Sequence, residues 1–164
     1  MNTSIAVKKM IDFYEGSVHD INHFLKVYSY ARTIGMIEGV DSDIQEKAEV
    51  AAIVHDIACP LCREKYGNAS GKYQELEGPQ LAENFLKELG YDNEFIKRIC
   101  YLVGHHHTYS DVDGLDYQIL LEADFLVNAD ESSLPKENIK AGMDKFFKTK
   151  TGKELLTSIY QLDK

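Results

Sequence analysis

All six histidines of the chain fall in three places: His19 and His23, then His55, then the run His105, His106 and His107. Asp56 follows His55 directly, and Asp124 stands inside the apolar text YQILLEADFLVNA. A single histidine among apolar residues is ordinarily a hydrogen-bonded core side chain. Aspartates in such text pose a sharper problem, because a buried carboxylate is costly unless a partner neutralises it. No lysine or arginine adjoins Asp56 or Asp124. A divalent cation would satisfy imidazoles and carboxylates together, since these are the usual ligands of Zn, Mn, Fe, Co and Ni. Open positions on such an ion would favour hydrolysis, because a bound metal activates water near neutral pH and polarises a phosphoryl oxygen.

Helices must position these groups. Prolines number three, long β-branched alternating runs are absent, and apolar residues recur at a period near 3.6. The class expected is all-α, a compact helical bundle. A first helix spans 3–15, and Ser17-Val18-His19-Asp20 opens a second as a capping box. In that second helix His23, Val27, Tyr30, Ala31 and Ile34 share one stripe, and Gly39 ends it. Ser42 with Gln45 offers another capping box, and Ile44, Ala48, Ala51, Ala52 and His55 form the inward stripe of a third helix, which the His55-Asp56 pair closes. The text CPLCREKYGNASGKY, from Cys59 to Tyr73, has the Pro, Gly, Asn and Ser content of a loop, one able to cover a site. Helices then run from about Glu75 to Leu89, stopped by Gly90, and from the N-cap Asp92 to about His107. The run Tyr117 to Ala129 is apolar nearly all round, as a central helix should be, and Pro135 and Gly152 mark turns around two short C-terminal helices.

The order H…HD…D, with His23, His55-Asp56 and Asp124 each in apolar helical text, resembles the HD-domain superfamily of metal-dependent phosphohydrolases. DINHFLKVYSYA is similar to that family's opening helix, AAIVHDIA to its dyad helix, and LEADFLVNA to its closing aspartate helix. The resemblance spans roughly residues 19–130 and implies four metal ligands: His23, His55, Asp56 and Asp124. It implies that Asp56 links metal and water chemistry, and that His105 or His106, in the stretch LVGHHHTYSD, faces substrate, assists proton transfer or serves a second metal, with His107 to spare. A solvated helix C-terminus, where imidazolium meets the negative end of the dipole, is the plainer reading of that trio.

Two departures from the family pattern stand out. Where many members read H-D-I-G-K, this chain reads His55-Asp56-Ile57-Ala58-Cys59, so the phosphate-binding lysine is missing. Arg63, Lys65 or Lys72 in the following segment are the candidates to replace it, in a loop that Gly67 and Gly71 let close over a ligand. Two-metal members also carry a histidine shortly before a Gly-Ala pair, where this chain has Gln74, Glu75 and Glu77 before Gly78. One divalent ion is therefore expected and a second is uncertain, with Glu77 read either as a substitute ligand or base, or as a first-turn helix carboxylate. Cys59-Pro60-Leu61-Cys62 is a C-x-x-C pair without the βαβ context of a redox motif or the further ligands of a zinc site, and Cys100 reads as a small core residue.

With 164 residues, 44 % of them hydrophobic, one core and one domain over 1–164 are expected, the motif region followed by C-terminal helices over 133–164. A formal net charge of -9 opposes a phosphate-backbone footprint and so argues against long nucleic acid, but not against a small phosphorylated ligand. The first residues alternate charge and apolar side chains too closely for a signal peptide, no apolar run reaches the ~18–20 residues of a membrane span, and three cysteines suit reduced thiols. A cytoplasmic, membrane-free protein is expected. The function expected is hydrolysis of a small phosphate ester, a nucleotide among the candidates, by metal-activated water. The alternatives are a non-catalytic module holding metal or nucleotide, and a di-iron oxygenase of the same superfamily, which would need more ligands.

Overall fold

The structure is a computed structural model in which residues 3–162 are described. Nine helices and no strand occur among them: α1 (Thr3–Phe13), α2 (Val18–Glu38), α3 (Ser42–Val54), α4 (Cys59–Tyr66), α5 (Gly71–Leu89), α6 (Asn93–Val103), α7 (Leu115–Glu131), α8 (Lys136–Phe146) and α9 (Lys150–Tyr160). The all-α class expected from periodicity is what the chain adopts. No helix among the described residues is long and apolar enough to cross a membrane.

Helices α2, α3 and α7 pack against one another and form the centre. Their sequences explain the placement. Every residue of α3 from Ala48 to Val54 is buried, and α7 is buried from Asp116 to Asp124 without a break. Only an interior helix can be apolar on all its faces. Phe24, Val27, Ala31 and Ile34 give α2 its inward stripe. Side chains such as Phe24, Ile53 and Leu120 are wholly buried, each contributing roughly 1.5–3 kcal/mol on removal from water. The pair α5–α6 covers α3, α1 lies over α3, and α9 braces α2 and α7. Arg98 of α6 holds Asp116 at the start of α7, with N–O distances of 2.7 and 2.8 Å, and also pairs with Asp113.

Gly35 lets α3 approach α2 closely: a Cβ there would lie 2.2 Å from Oε1 of the buried Gln45. Helix ends follow local chemistry. Gly39 and Gly90 take the left-handed conformation and stop α2 and α5. The N-cap of α3 is Asp41 rather than Ser42, its carboxylate accepting from the amides of Asp43 and Ile44. Ser17 donates to Asp20 at 2.7 Å but caps no backbone amide.

The segment expected as a loop from Cys59 to Tyr73 is mostly helix. Pro60 sits in the first turn of α4, where a missing N–H costs nothing, and Gly67, at φ 74°, closes the helix. The turn-forming residues mark the ends of two helices, and the true connection is the short stretch from Gly67 to Ser70. Gly152 likewise lies within α9 rather than in a turn. The histidine run follows α6 in a turn rather than ending its α-helical part, since α6 stops at Val103.

Candidate metal centre

His23 projects from the second turn of α2, His55 and Asp56 leave the C-terminal end of α3, and Asp124 projects from the middle of α7. The central three helices thereby bring all four sequence-predicted ligands together. His23 Nε2 lies 3.2 Å from His55 Nε2, 3.4 Å from Asp56 Oδ2 and 3.3 Å from Asp124 Oδ1. His55 Nε2 is 3.4 Å from Asp124 Oδ1 and 3.5 Å from Asp56 Oδ1. His55 is fully buried, and His23 and Asp124 nearly so.

Hydrogen bonds fix which ring nitrogens face inward. His55 Nδ1 lies 2.9 Å from the Ala52 carbonyl, which can only accept, so Nδ1 carries the proton. His23 Nδ1 lies 2.7 Å from Glu131 Oε2 and donates to that carboxylate. In their neutral forms both rings therefore turn Nε2 lone pairs toward Asp124, whose buried Oδ1 has no hydrogen-bond partner. Lone pairs and carboxylate oxygens gathered in one dry place draw a cation, a proton on His23 or a divalent ion in its stead. His23, His55 and Asp56 can each supply a ligand atom to one ion, and Asp124 Oδ1 faces the same point. The donor set therefore fits a divalent metal.

The electrostatics agree. Burial opposes the imidazolium of His23, but the adjoining Asp124 carboxylate and the charge of Asp56 outweigh it and raise the group to about 10 when no ion is bound. Burial would raise Asp56, yet His55 and His106 hold it well below the usual carboxylate range. Asp124 is also lowered, by His23 and His55, against its own burial. Each carboxylate thus stays ionised and draws positive charge toward itself.

The histidine run divides its roles differently from expectation. His106 is buried with Nε2 3.3 Å from Asp56 Oδ1, as a substrate-facing or ligand residue should be. His105, expected beside it, turns away: its Nδ1 lies 2.7 Å from the Tyr101 carbonyl and its ring stacks on Tyr101 at 4.2 Å. The turn after Val103 sends successive side chains in different directions, which run composition does not reveal. His107, expected to be spare, joins Asp56 and His106 in a second group able to hold an ion. Its buried Nε2 has no partner, and burial followed by His106 lowers it to about 4, keeping it neutral. Gln74, one of the three residues standing before Gly78 where two-metal members carry a histidine, donates from Nε2 to the Ala69 carbonyl at 2.8 Å and so aims Oε1 at His106 Nε2, 3.1 Å away.

The basic residues of the 59–73 segment are not gathered around this centre. Arg63 pairs with Asp20 across α4 and α2, and Lys65 is 2.5 Å from Glu77. Lys72 is exposed near the start of α5. Glu77 is neither ligand nor first-turn carboxylate: α5 begins at Gly71, and Glu77 accepts from Lys65 and from the Tyr66 hydroxyl at 2.5 Å. Cys59 and Cys62 are buried and free, and burial raises both thiols, which disfavours the reactive thiolate.

Three supporting residues escaped the sequence reading. Glu131 orients His23, Glu75 accepts from the His107 amide and the Thr108 hydroxyl at 3.0 Å each, and Tyr14 donates to the Asp56 carbonyl at 2.6 Å. Glu131 had a signal, since it stands seven residues after Asp124 and two helical turns bring it to the same face. Tyr14 and Glu75 had none, because their contacts depend on how separate helices pack.

The HD domain family model matches residues 20–141, a span that contains His23, His55, Asp56, His106 and Asp124. Among solved structures, one described as a predicted HD superfamily hydrolase from an uncultured Thermotogales bacterium superposes with a TM-score of 0.66. It is 24 % identical, with 96 % of this chain and 83 % of that chain covered, and the likeness is one of fold. No curated protein matches the sequence.

Proposed function

The chain belongs to the HD-domain family, and from that premise we propose that it is a metal-dependent phosphohydrolase acting on a small phosphate ester. The observation that carries this reading is the unpartnered Asp124 Oδ1, buried against the inward Nε2 atoms of His23 and His55. His23, His55, Asp56 and Asp124 would hold the ion, and a divalent metal so held supplies an activated water and polarises a phosphoryl oxygen.

The protein's own residues do the rest. Glu131 and the Ala52 carbonyl fix the ring orientations of His23 and His55, so the site is ordered before an ion arrives. Asp56 lies between the two groups, close to His23 and His55 on one side and to His106 on the other. Asp56 would orient the attacking water that the ion activates, and His106, whose imidazolium Asp56 favours against its burial, would stabilise the phosphoryl oxygens and give a proton to the leaving alcohol. Products are inorganic phosphate or a monoester, together with the leaving alcohol.

The test is to strip the protein with chelator, reload it with Mn, Fe, Co, Ni or Zn, and follow hydrolysis of p-nitrophenyl phosphate. Turnover that needs metal and disappears in Asp56→Asn supports the reading. Metal bound in stoichiometric amount without turnover on any phosphate ester would replace it with a metal-holding module. Elemental analysis of the purified protein counts the ions, and so decides whether Asp56, His106 and His107 hold a second one. Two equivalents of iron would bring oxygenase chemistry into play.

A further inference from the structure

A second cluster of donors adjoins the proposed ligand set. Asp56, His106 and His107 each bring one ligand atom within 4.8 Å of the others. His106 is fully buried, and the Nε2 atom of His107 is buried without a partner. Asp56 belongs to both groups: its Oδ2 lies 3.4 Å from His23 Nε2, and its Oδ1 lies 3.3 Å from His106 Nε2.

The first turns of α5 lie flush against the histidine run. A Cβ at Gly71 would stand 2.7 Å from the His107 ring, and Glu75 accepts from the His107 amide and the Thr108 hydroxyl. Gln74, between these two contacts, is buried and brings Oε1 to 3.1 Å from His106 Nε2. Its carboxamide cannot turn over, because its Nε2 donates to the Ala69 carbonyl, which can only accept. Gln74 therefore presents an uncharged oxygen to the cluster.

Charge separates the two groups. His23, His55, Asp56 and Asp124 include two carboxylates, which balance one divalent ion. His106, His107 and Gln74 bring no negative charge, and that of Asp56 already counts toward the first ion. Glu75 is engaged by the turn and stands outside the cluster, and Glu131, behind His23, is paired with Lys26. A second divalent ion would thus enter a largely buried space without an anion of its own, which is the costly case for buried charge.

We propose that Gln74 keeps the centre to one ion. Its neutral carboxamide occupies the place where a further charged ligand would have to stand, and the space beside His106 and His107 is left to the substrate. The inference rests on the metal-centre part of the proposed function and not on the reaction assigned to it.

The test loads the protein with manganese(II), a metal suited to carboxylate ligands, then removes free metal, counts the ions per chain and records the electron paramagnetic resonance spectrum. Wild-type protein should hold about one ion with the spectrum of isolated manganese. Gln74→Glu, which keeps the shape and adds a charge, should rise to about two, with the broadened spectrum of an exchange-coupled pair bridged by Asp56. His107→Glu brings the same charge from another side of the cluster and should also take a second ion, so it decides the matter where Gln74→Glu fails to fold. Gln74→Leu adds no charge and should stay at about one. Two ions in wild type or in Gln74→Leu, or one ion in both carboxylate variants, would overturn the inference. Wild-type protein that takes no ion removes the metal centre and the inference with it. Counts of one in wild type and two in Gln74→Glu, without hydrolysis of p-nitrophenyl phosphate by the wild type, keep the inference and remove the hydrolase reading.

Discussion

Whether a carboxylate at Asp124 is a liability or a tool is decided by the ring nitrogens beside it. Removing its charge should remove the ion: Asp124→Asn or Asp56→Asn is expected to lose bound metal and hydrolysis together, read by elemental analysis and a chromogenic assay. Glu131→Gln keeps the shape but weakens the hold on His23 Nδ1, so metal affinity should fall by roughly 10–100-fold, measured by competition with a chelator. His105→Ala is the contrast. Its ring lies on Tyr101 rather than beside Asp56, and metal content and activity should both persist. Loss of metal in that variant would show that the turn after Val103 is arranged differently.

Helix ends set the geometry more than helix interiors do. The dyad stands where α3 ends: His55 keeps helical backbone angles as its C-cap, and Asp56 lies in the turn that leads on to α4, within reach of both His23 and His106. The short helix α4 follows at once and buries Cys62, so Cys59→Ser and Cys62→Ser are expected to retain most activity. Cys62→Ser should nevertheless lose stability in urea, because it places a hydroxyl in a fully buried site. Glu122 is the corresponding device on the far side. It accepts from the amides of Lys148 and Thr149 and from the Gln118 side chain, tying α7 to the start of α9. Gly152 must lack a side chain there, since a Cβ would lie 2.0 Å from Glu122 Oε2. Gly152→Ala should destabilise the fold by roughly 1–3 kcal/mol in denaturant unfolding while the metal centre keeps its ion.

Across the whole molecule, stability and metal binding are linked through the central three helices. An ion that binds only the folded chain stabilises it by about 2.7 kcal/mol at a hundredfold excess over Kd, so chelation should lower Tm. The pH trend of the chelated protein has a definite sign. His23 is raised to about 10 in the metal-free fold, against ~6.5 in an unfolded chain. Its stabilising charge is fully present below the unfolded value and is lost as pH rises through the folded one. The Tm of chelated protein should therefore decline between about pH 6.5 and about pH 10. Protons compete with metal for imidazole, so loaded protein gains relative to chelated protein over the same interval. The gap between the two melting temperatures should widen with pH. A constant gap would mean that His23 takes no part in holding the ion.

The sequence by itself determined the helical class, the course of α1, α2, α3 and α7 to within about two residues and the four residues that converge. Buried charge is expensive, and that expense is visible wherever Asp56 and Asp124 interrupt apolar text. Periodicity likewise puts His23 on the inward stripe of α2 and makes α7 an interior helix. It could not order the histidine run, because His105, His106 and His107 sit in a turn whose side-chain directions have no fixed period. Nor could composition separate a loop from a helix over Cys59 to Tyr66, where Pro60 and Gly67 serve as a start and a stop. Only the tertiary structure could commit Arg63 and Lys65 to Asp20 and Glu77 and bring Tyr14 and Glu75 to the site. Each of those facts depends on which distant helix lies opposite, and a linear pattern carries the face of a helix but not the identity of its neighbour.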